Sequence, residues 1–267
     1  MKNAFNLPWR LMAATLYGPP RDGKIMGTLN VDVTAIDKYI KDQRRQGNKL
    51  TLTTFVAVAI GRALAKYPEI NCHIRRGRLV PREYIDVMVT VGIKGGAEMA
   101  AVRIRDAHEK TASQIAGEIR TMAFESRQGQ ESKVMQNKYT LTKIPWPIRG
   151  WIYKLIRWLV HDLGINLGFM GYLDSAFGSI VLSNIGTIGL TTGFPALLPA
   201  AKIPAVINMG KCELKPVVRS KEVVVRLMLP LSATFDHRIV DGLHAGKMAS
   251  TVARLLAKPE ELDQSPR

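Results

Sequence analysis

The stretch LPLSATFDHRIVDG, Leu229–Gly242, governs how the rest of the chain is read. Its first half carries a strand toward His237, which the turn-prone residues after it place in a loop. Asp241–Gly242 then precedes a helix, Leu243–Leu256, in which Ala245, Met248, Ala249, Val252, Leu255 and Leu256 mark one buried face. Asp just before a helix is a good N-cap, so Asp241 has a structural use whatever else it does. Upstream, Ser179–Ser183, Ala205–Met209, Leu214–Val218 and Glu222–Leu229 read as strands. The last two are joined through Ser220–Lys221 and followed by Pro230–Asp236, which leads to the loop.

The first half of the chain alternates strands and helices. Lys24–Val33 has strand periodicity, and Thr34 and Asp37 sit at capping-box spacing before a short helix through Arg45. Leu52, Phe55, Val56, Ala59, Ile60, Ala63 and Leu64 repeat as a helical face that Pro68 ends. Tyr84–Ile93 and Ala100–Ile104 read as strands, Thr111–Phe124 as a helix, and Glu125–Thr140 as a polar connection. Interspersed elements with several hairpin partners predict an α/β fold, a mixed sheet covered by helices. The whole of 1–267 reads as a single domain with its core over about 20–260.

The 267 residues carry 38 Lys and Arg against 22 Asp and Glu, a net charge of +16. Such an excess calls for an anionic partner. The basic residues are scattered, however, with Lys41–Arg45 and Arg75–Arg78 separated by apolar segments, and no zinc finger or RNP-type strand accompanies them, so nucleic acid is set aside. Two cysteines, Cys72 and Cys212, build no disulfide framework and suit a reducing compartment; with no signal-peptide core and no membrane span in the sequence, the expected address is cytoplasmic. His237, Asp241 and His244 have ligand-like spacing, but Gly242 and the loop before it argue against a metal. Ile148–Val160 (IRGWIYKLIRWLV) forms an apolar stripe with Arg149, Lys154 and Arg157 outside it. An anionic bilayer would suit it, yet packing on the chain's own sheet or on a neighbouring subunit is the preferred reading.

A histidine at a strand end is a good general base near neutral pH. The longer string Leu-Ser-x-x-x-Asp-His-Arg-x-x-Asp-Gly around His237 resembles the active-site signature of the dihydrolipoyl acyltransferases, the catalytic domains of 2-oxo acid dehydrogenase complexes, related in fold to chloramphenicol acetyltransferase. Leu52–Asn71, Ala101–Ile119, Val181–Gly186 (VLSNIG) and Ala201–Gly210 are similar to further segments of that family in the same order.

The resemblance implies a chloramphenicol acetyltransferase-like fold and transfer of an acyl group between coenzyme A and a thiol such as dihydrolipoamide. By the same resemblance His237 is the general base, Ser183 the hydroxyl donor to the oxyanion, and Asp241 a catalytic-loop residue held by an ion pair, with Arg10 as the partner. His73, His108, His161 and His244 fit no motif position, and Cys72 reads as packing. The family forms homotrimers whose active sites lie between subunits, with coenzyme A as substrate and no metal. Its lipoyl and subunit-binding domains have no counterpart here, which implies a stand-alone form whose lipoyl group comes from another protein. Glu131–Leu173 is longer than a minimal catalytic domain requires. The alternatives are a non-catalytic trimeric scaffold, or acyl transfer to a small amine or alcohol.

Overall fold

The computed structural model describes residues 23–93, 98–127, 148–165, 177–197 and 201–266. Nine strands are described: β1 (Lys24–Asp32), β2 (Cys72–Arg75), β3 (Arg78–Pro81), β4 (Val87–Ile93), β5 (Glu98–Ile104), β6 (Ile180–Asn184), β7 (Ala205–Met209), β8 (Glu213–Arg219) and β9 (Glu222–Asp236). The helices are α1 (Thr34–Arg45), α2 (Leu52–Lys66), α3 (Ala112–Arg127), α4 (Ile148–Arg157), α5 (Gly242–Leu256) and α6 (Pro259–Leu262). Seven strands form one mixed sheet in the order β1-β9-β7-β6-β4-β5, with β8 paired to β9; β2 and β3 make a separate hairpin.

Strand β9 organises the sheet. Its first half pairs with β8, from Glu222 opposite Arg219 to Met228 opposite Glu213. Its second half is gripped on both sides, by β1 (Lys24 opposite Asp236) and by β7 (Ala205 opposite Phe235). A strand buried on two edges and two faces carries its hydrophobic residues without a gap, and Met228–Ser232 are all buried. The expected strand end at Leu229 is therefore corrected: the strand continues through Pro230 to Asp236. Proline gives the ladder no N–H, but its carbonyl still accepts from the Gly210 amide at 2.8 Å.

Register fixes what each face does. Val89, Leu182, Ile207 and Leu231 point to the helices, where Phe55, Ile60 and Leu64 of α2 and Met248, Val252 and Leu256 of α5 are buried with them. Met88, Val181 and Val206 point the other way, onto Leu197, Ala201 and Ile203. Helix α2 is buried almost throughout because Gly61 lets it approach the chain at 107–108. A Cβ there would lie 2.8 Å from the His108 amide nitrogen and 2.9 Å from the Ala107 carbonyl carbon.

Two further expectations change. The capping box of Thr34 and Asp37 does not form; Thr34 is the first helical residue, and its amide (3.1 Å) and hydroxyl (2.7 Å) both donate to Asp32 Oδ1. The stripe of 148–160 is not packed within its own chain along its length. Val160 is buried and Ile152, Ile156 and Leu159 are half-buried, but Trp151 is 76% exposed and Ile148, Leu155 and Trp158 half or more. The polar connection after α3 lies outside the described residues beyond Arg127. Because the contacts at Gly61 are backbone atoms that have no rotamer to move, Gly61→Ala is expected to lower stability by about 2 kcal/mol in denaturant unfolding. An unchanged midpoint would mean that α2 is not seated this closely.

Candidate functional site

The loop after β9 is built around the Asp236 carboxylate, which is 2% exposed. A carboxylate so buried stays ionised only if its oxygens are paired and hydrogen-bonded. Arg238 does both. Its amide (3.1 Å) and Nε (2.9 Å) donate to Oδ1, and Nη2 donates to Oδ2 at 2.6 Å. The backbone closes the turn, with the Ile239 and Val240 amides both donating to the Asp236 carbonyl at 2.9 Å. On its outer side the Asp236 amide donates to the Pro204 carbonyl and the His237 amide to the Gly23 carbonyl at 2.7 Å.

This frame fixes the half-buried imidazole of His237. Its Nδ1 lies 3.0 Å from the Val240 carbonyl oxygen. A carbonyl only accepts, so Nδ1 carries the proton and Nε2 carries the lone pair. The neutral ring is thereby held in the tautomer that a base needs.

Asp241 begins α5 as its N-cap, accepting from the His244 amide at 2.9 Å, with His244 Nδ1 2.7 Å from the same oxygen. Partial burial pulls the Asp241 carboxyl upward, but the His244 amide, the His244 ring and the Leu243 amide outweigh it, and its pKa lies below the usual value. The ion pair with Arg10 lies outside the described residues. His108 faces Glu109 at 3.7 Å, and Cys72 is buried with its thiol donating to the Glu69 carbonyl. Among the described residues no three His, Cys, Asp or Glu side chains are grouped to hold a metal ion.

Ser183 lies elsewhere on the sheet. It sits on β6 in a polar row, opposite Asn208 on β7, itself opposite Ser232 on β9. Thr90 Oγ1 donates to Ser183 Oγ at 2.8 Å, which leaves the serine's own hydrogen to point at another acceptor. The row is covered by a loop whose Gly193 carbonyl accepts from Asn208 Nδ2 at 2.8 Å. From Ser232 to His237 is about 17 Å of strand, and two strand spacings add about 10 Å sideways. Within one chain, Ser183 and His237 are therefore roughly 19 Å apart. The structure brings His237 and Asp241 into one loop and does not bring Ser183 to them. Sequence reading missed the Asp236–Arg238 clamp, the Gly23 carbonyl and Thr90. The first was signalled by Asp and Arg flanking the histidine; the other two join through pairings that only the fold reveals.

The family described as 2-oxoacid dehydrogenases acyltransferase (catalytic domain) matches residues 24–142 and 172–263. The match passes over 143–171, which contain α4. Among curated proteins, the chain is 25% identical over 234 residues to the dihydrolipoyllysine-residue acetyltransferase component of the Haemophilus influenzae pyruvate dehydrogenase complex, covering 85% of this chain and 34% of that protein. It is 29% identical over 258 residues to the succinyltransferase component of the Bacillus subtilis 2-oxoglutarate dehydrogenase complex, covering 94% and 52%. The chain thus spans between a third and about half of the length of these relatives. Among solved structures, a probable dihydrolipoamide acetyltransferase from Listeria monocytogenes superposes with a TM-score of 0.68 at 19% identity, covering 96% of this chain and 92% of that one. An Azotobacter vinelandii dihydrolipoamide acetyltransferase, studied for the catalytic roles of a serine, a histidine and an asparagine, gives 0.65 at 19% over 95% and 88%. A chloramphenicol acetyltransferase gives 0.59 at 17% over 95% and 97%. The mixed sheet with covering helices is the fold these proteins share.

Two outcomes follow from the loop. Arg238→Met leaves the Asp236 charge buried without its partner and is expected to cost about 3 kcal/mol of stability in urea; a loss under 1 kcal/mol would show that the clamp does not hold the turn. Asp241→Ala removes the cap and is expected to cost about 1 kcal/mol at neutral pH. The folded-state pKa of Asp241 is depressed, so its contribution is complete above an unfolded value of about 3.9 and fades as acid protonates the folded carboxylate. The difference between wild type and variant should therefore shrink below that pH. A gap that stayed constant down to the acid transition would contradict the pKa direction.

Proposed function

The chain belongs to the family of 2-oxoacid dehydrogenase acyltransferase catalytic domains, and on that premise we propose that it moves acyl groups between coenzyme A and a thiol such as dihydrolipoamide. Residues 1–267, with their core over about 20–260, act as one catalytic domain. The observation that carries this reading is the bond from His237 Nδ1 to the Val240 carbonyl, which puts a basic Nε2 on a rigid turn.

A thiol with a pKa near 8.5 is mostly protonated at neutral pH, so attack on a thioester needs a base at the moment of reaction. His237 Nε2 takes the proton from sulfur as the sulfur bonds to the carbonyl carbon. The carbonyl oxygen becomes an oxyanion and accepts the Ser183 hydroxyl hydrogen, while Thr90 supports the serine oxygen from behind. Collapse expels the thiolate of coenzyme A, which recovers the proton from Nε2. Asp241 shapes the loop by capping α5, and Asp236 with Arg238 holds the histidine's backbone; both act through position.

The separation of roughly 19 Å within one chain means that the two groups meet on one carbonyl only when different copies supply them. The assembly that does this is a homotrimer with active sites between subunits. A lipoyl group supplied by another protein is the natural thiol, and the chain's positive balance suits the phosphates of coenzyme A.

The test is release of free coenzyme A from acetyl-, butyryl- and succinyl-CoA in the presence of dihydrolipoamide, with an amine and an alcohol as comparison acceptors. His237→Ala is expected to lower the rate by about 10² to 10⁴ without unfolding the protein. Ser183→Ala is expected to lower it by about 10² to 10³. A His237→Ala protein that kept the wild-type rate would remove the base from the mechanism, and no thiol release from any donor would retire the activity.

A further inference from the structure

A cavity of about 200 Å³ lies between the sheet and α5, on the face opposite Ser183. Ile60, Ile207, Leu231, Phe235, Met248 and Val252 form its floor, and Gly27, Ala245, Gly246 and Ala249 form its mouth. Its lining is almost wholly apolar. The mouth is open because side chains are missing there: a Cβ on Gly27 or on Gly246 would meet no atom within 4 Å. Neither glycine has the positive φ that would require the residue, so their smallness serves the space. An apolar cavity of even ~150 Å³ stays dry and takes up an apolar guest.

Beyond the mouth the surface changes character. Gly246 also borders an open depression lined by Tyr67, Lys247, Ser250, Thr251 and Arg254. The Tyr67 hydroxyl lies 3.0 Å from the Thr251 hydroxyl, and that hydrogen bond first, with Lys66 and Lys247 after it, holds the phenol below its usual pKa. At the inner end, Phe235 stands two residues before His237, about 7 Å along the strand. The cationic side chains lie around α5 from the cavity, and the apolar lining by itself describes a guest with a hydrocarbon tail.

We propose that this cavity binds an acyl tail of about six to eight carbons. The choice of an acyl tail rests on the acyl-transfer reading above; the cavity itself does not. The same chemistry arises from a free fatty acid or from the acyl chain of an acyl-CoA.

The experiment is ligand-induced thermal stabilisation of the intact protein at fixed concentrations of acetate, butyrate and octanoate, and of acetyl-, butyryl- and octanoyl-CoA. Affinity should rise about fourfold per buried methylene, so octanoyl ligands stabilise most. A response to both series identifies the site as one for any acyl tail, and a response to the CoA series alone identifies the thioester as its ligand. Gly246→Leu fills the mouth with a residue that also favours a helix; its ligand-free melting temperature should equal or exceed wild type, and the chain-length dependence should vanish. Gly27→Val, on β1, fills the opposite lip and is read in the same way should the helix variant not fold. Stabilisation independent of chain length, or a Gly246→Leu protein that keeps the full octanoyl response, would overturn the proposal. The two readings part cleanly. Length-dependent binding in a chain that releases no thiol keeps the cavity and sinks the activity, whereas His237-dependent release without length-dependent binding does the reverse.

Discussion

An ionised carboxylate at the end of the central strand is the constraint from which the rest of the site follows. Asp236 is buried where water cannot solvate it, and it is kept there by three donors from one neighbouring residue, Arg238. Those bonds oblige the chain to turn back on itself within two residues. The turn in turn brings the Val240 carbonyl against His237 Nδ1 and starts α5 at Asp241–Gly242. Loss of the clamp would release the imidazole's tautomer, the helix start and the contact with Gly23 together. The geometry that suits His237 to the proposed role of base is thus a consequence of a charge pair beside it, and the acid four residues on serves chiefly as a cap.

The sheet then sets what a single chain can accomplish. β9, β7 and β6 run side by side, and their register places Ser183 and His237 at opposite ends of the strands. No side-chain rotation spans that distance, since strand rise and spacing are fixed by backbone hydrogen bonding. A chemistry that needs both groups on one carbonyl is therefore written across copies. On the helix-covered face of the same strands a cavity lies beneath α5, where glycine and alanine form part of its lining.

Much of this was legible in the sequence because it rests on local pattern. The face of α2 was readable from its spacing to Pro68, β7 from an apolar run of strand length, and α5 from an Asp-Gly start and a regular buried stripe. What failed depended on partners distant in the chain. Pro230 reads as a break, yet β9 passes through it because β1 and β7 hold the strand on both sides. Arg75–Arg78 is a local exception: it reads as charge, yet Arg76 and Gly77 both take positive φ and turn the β2–β3 hairpin. The stripe at 148–160 declares an apolar face but not what covers it, and in the folded chain Trp151 remains open. The motif around His237 singled out the residue proposed as the base, while Thr90 behind Ser183 is joined to it by strand pairing across 93 residues and left no mark in the sequence.

The proposed site serves one carbonyl with His237 from one copy and Ser183 from another. Its most direct test is to unfold and reassemble a mixture of His237→Ala and Ser183→Ala chains and measure thiol release from acetyl-CoA. A site in the mixture is intact only when two different chains each supply their unaltered residue, so about a quarter of wild-type activity should return from two nearly inactive proteins. A mixture of confirmed mixed oligomers that stays as inactive as its parts would contradict the shared site.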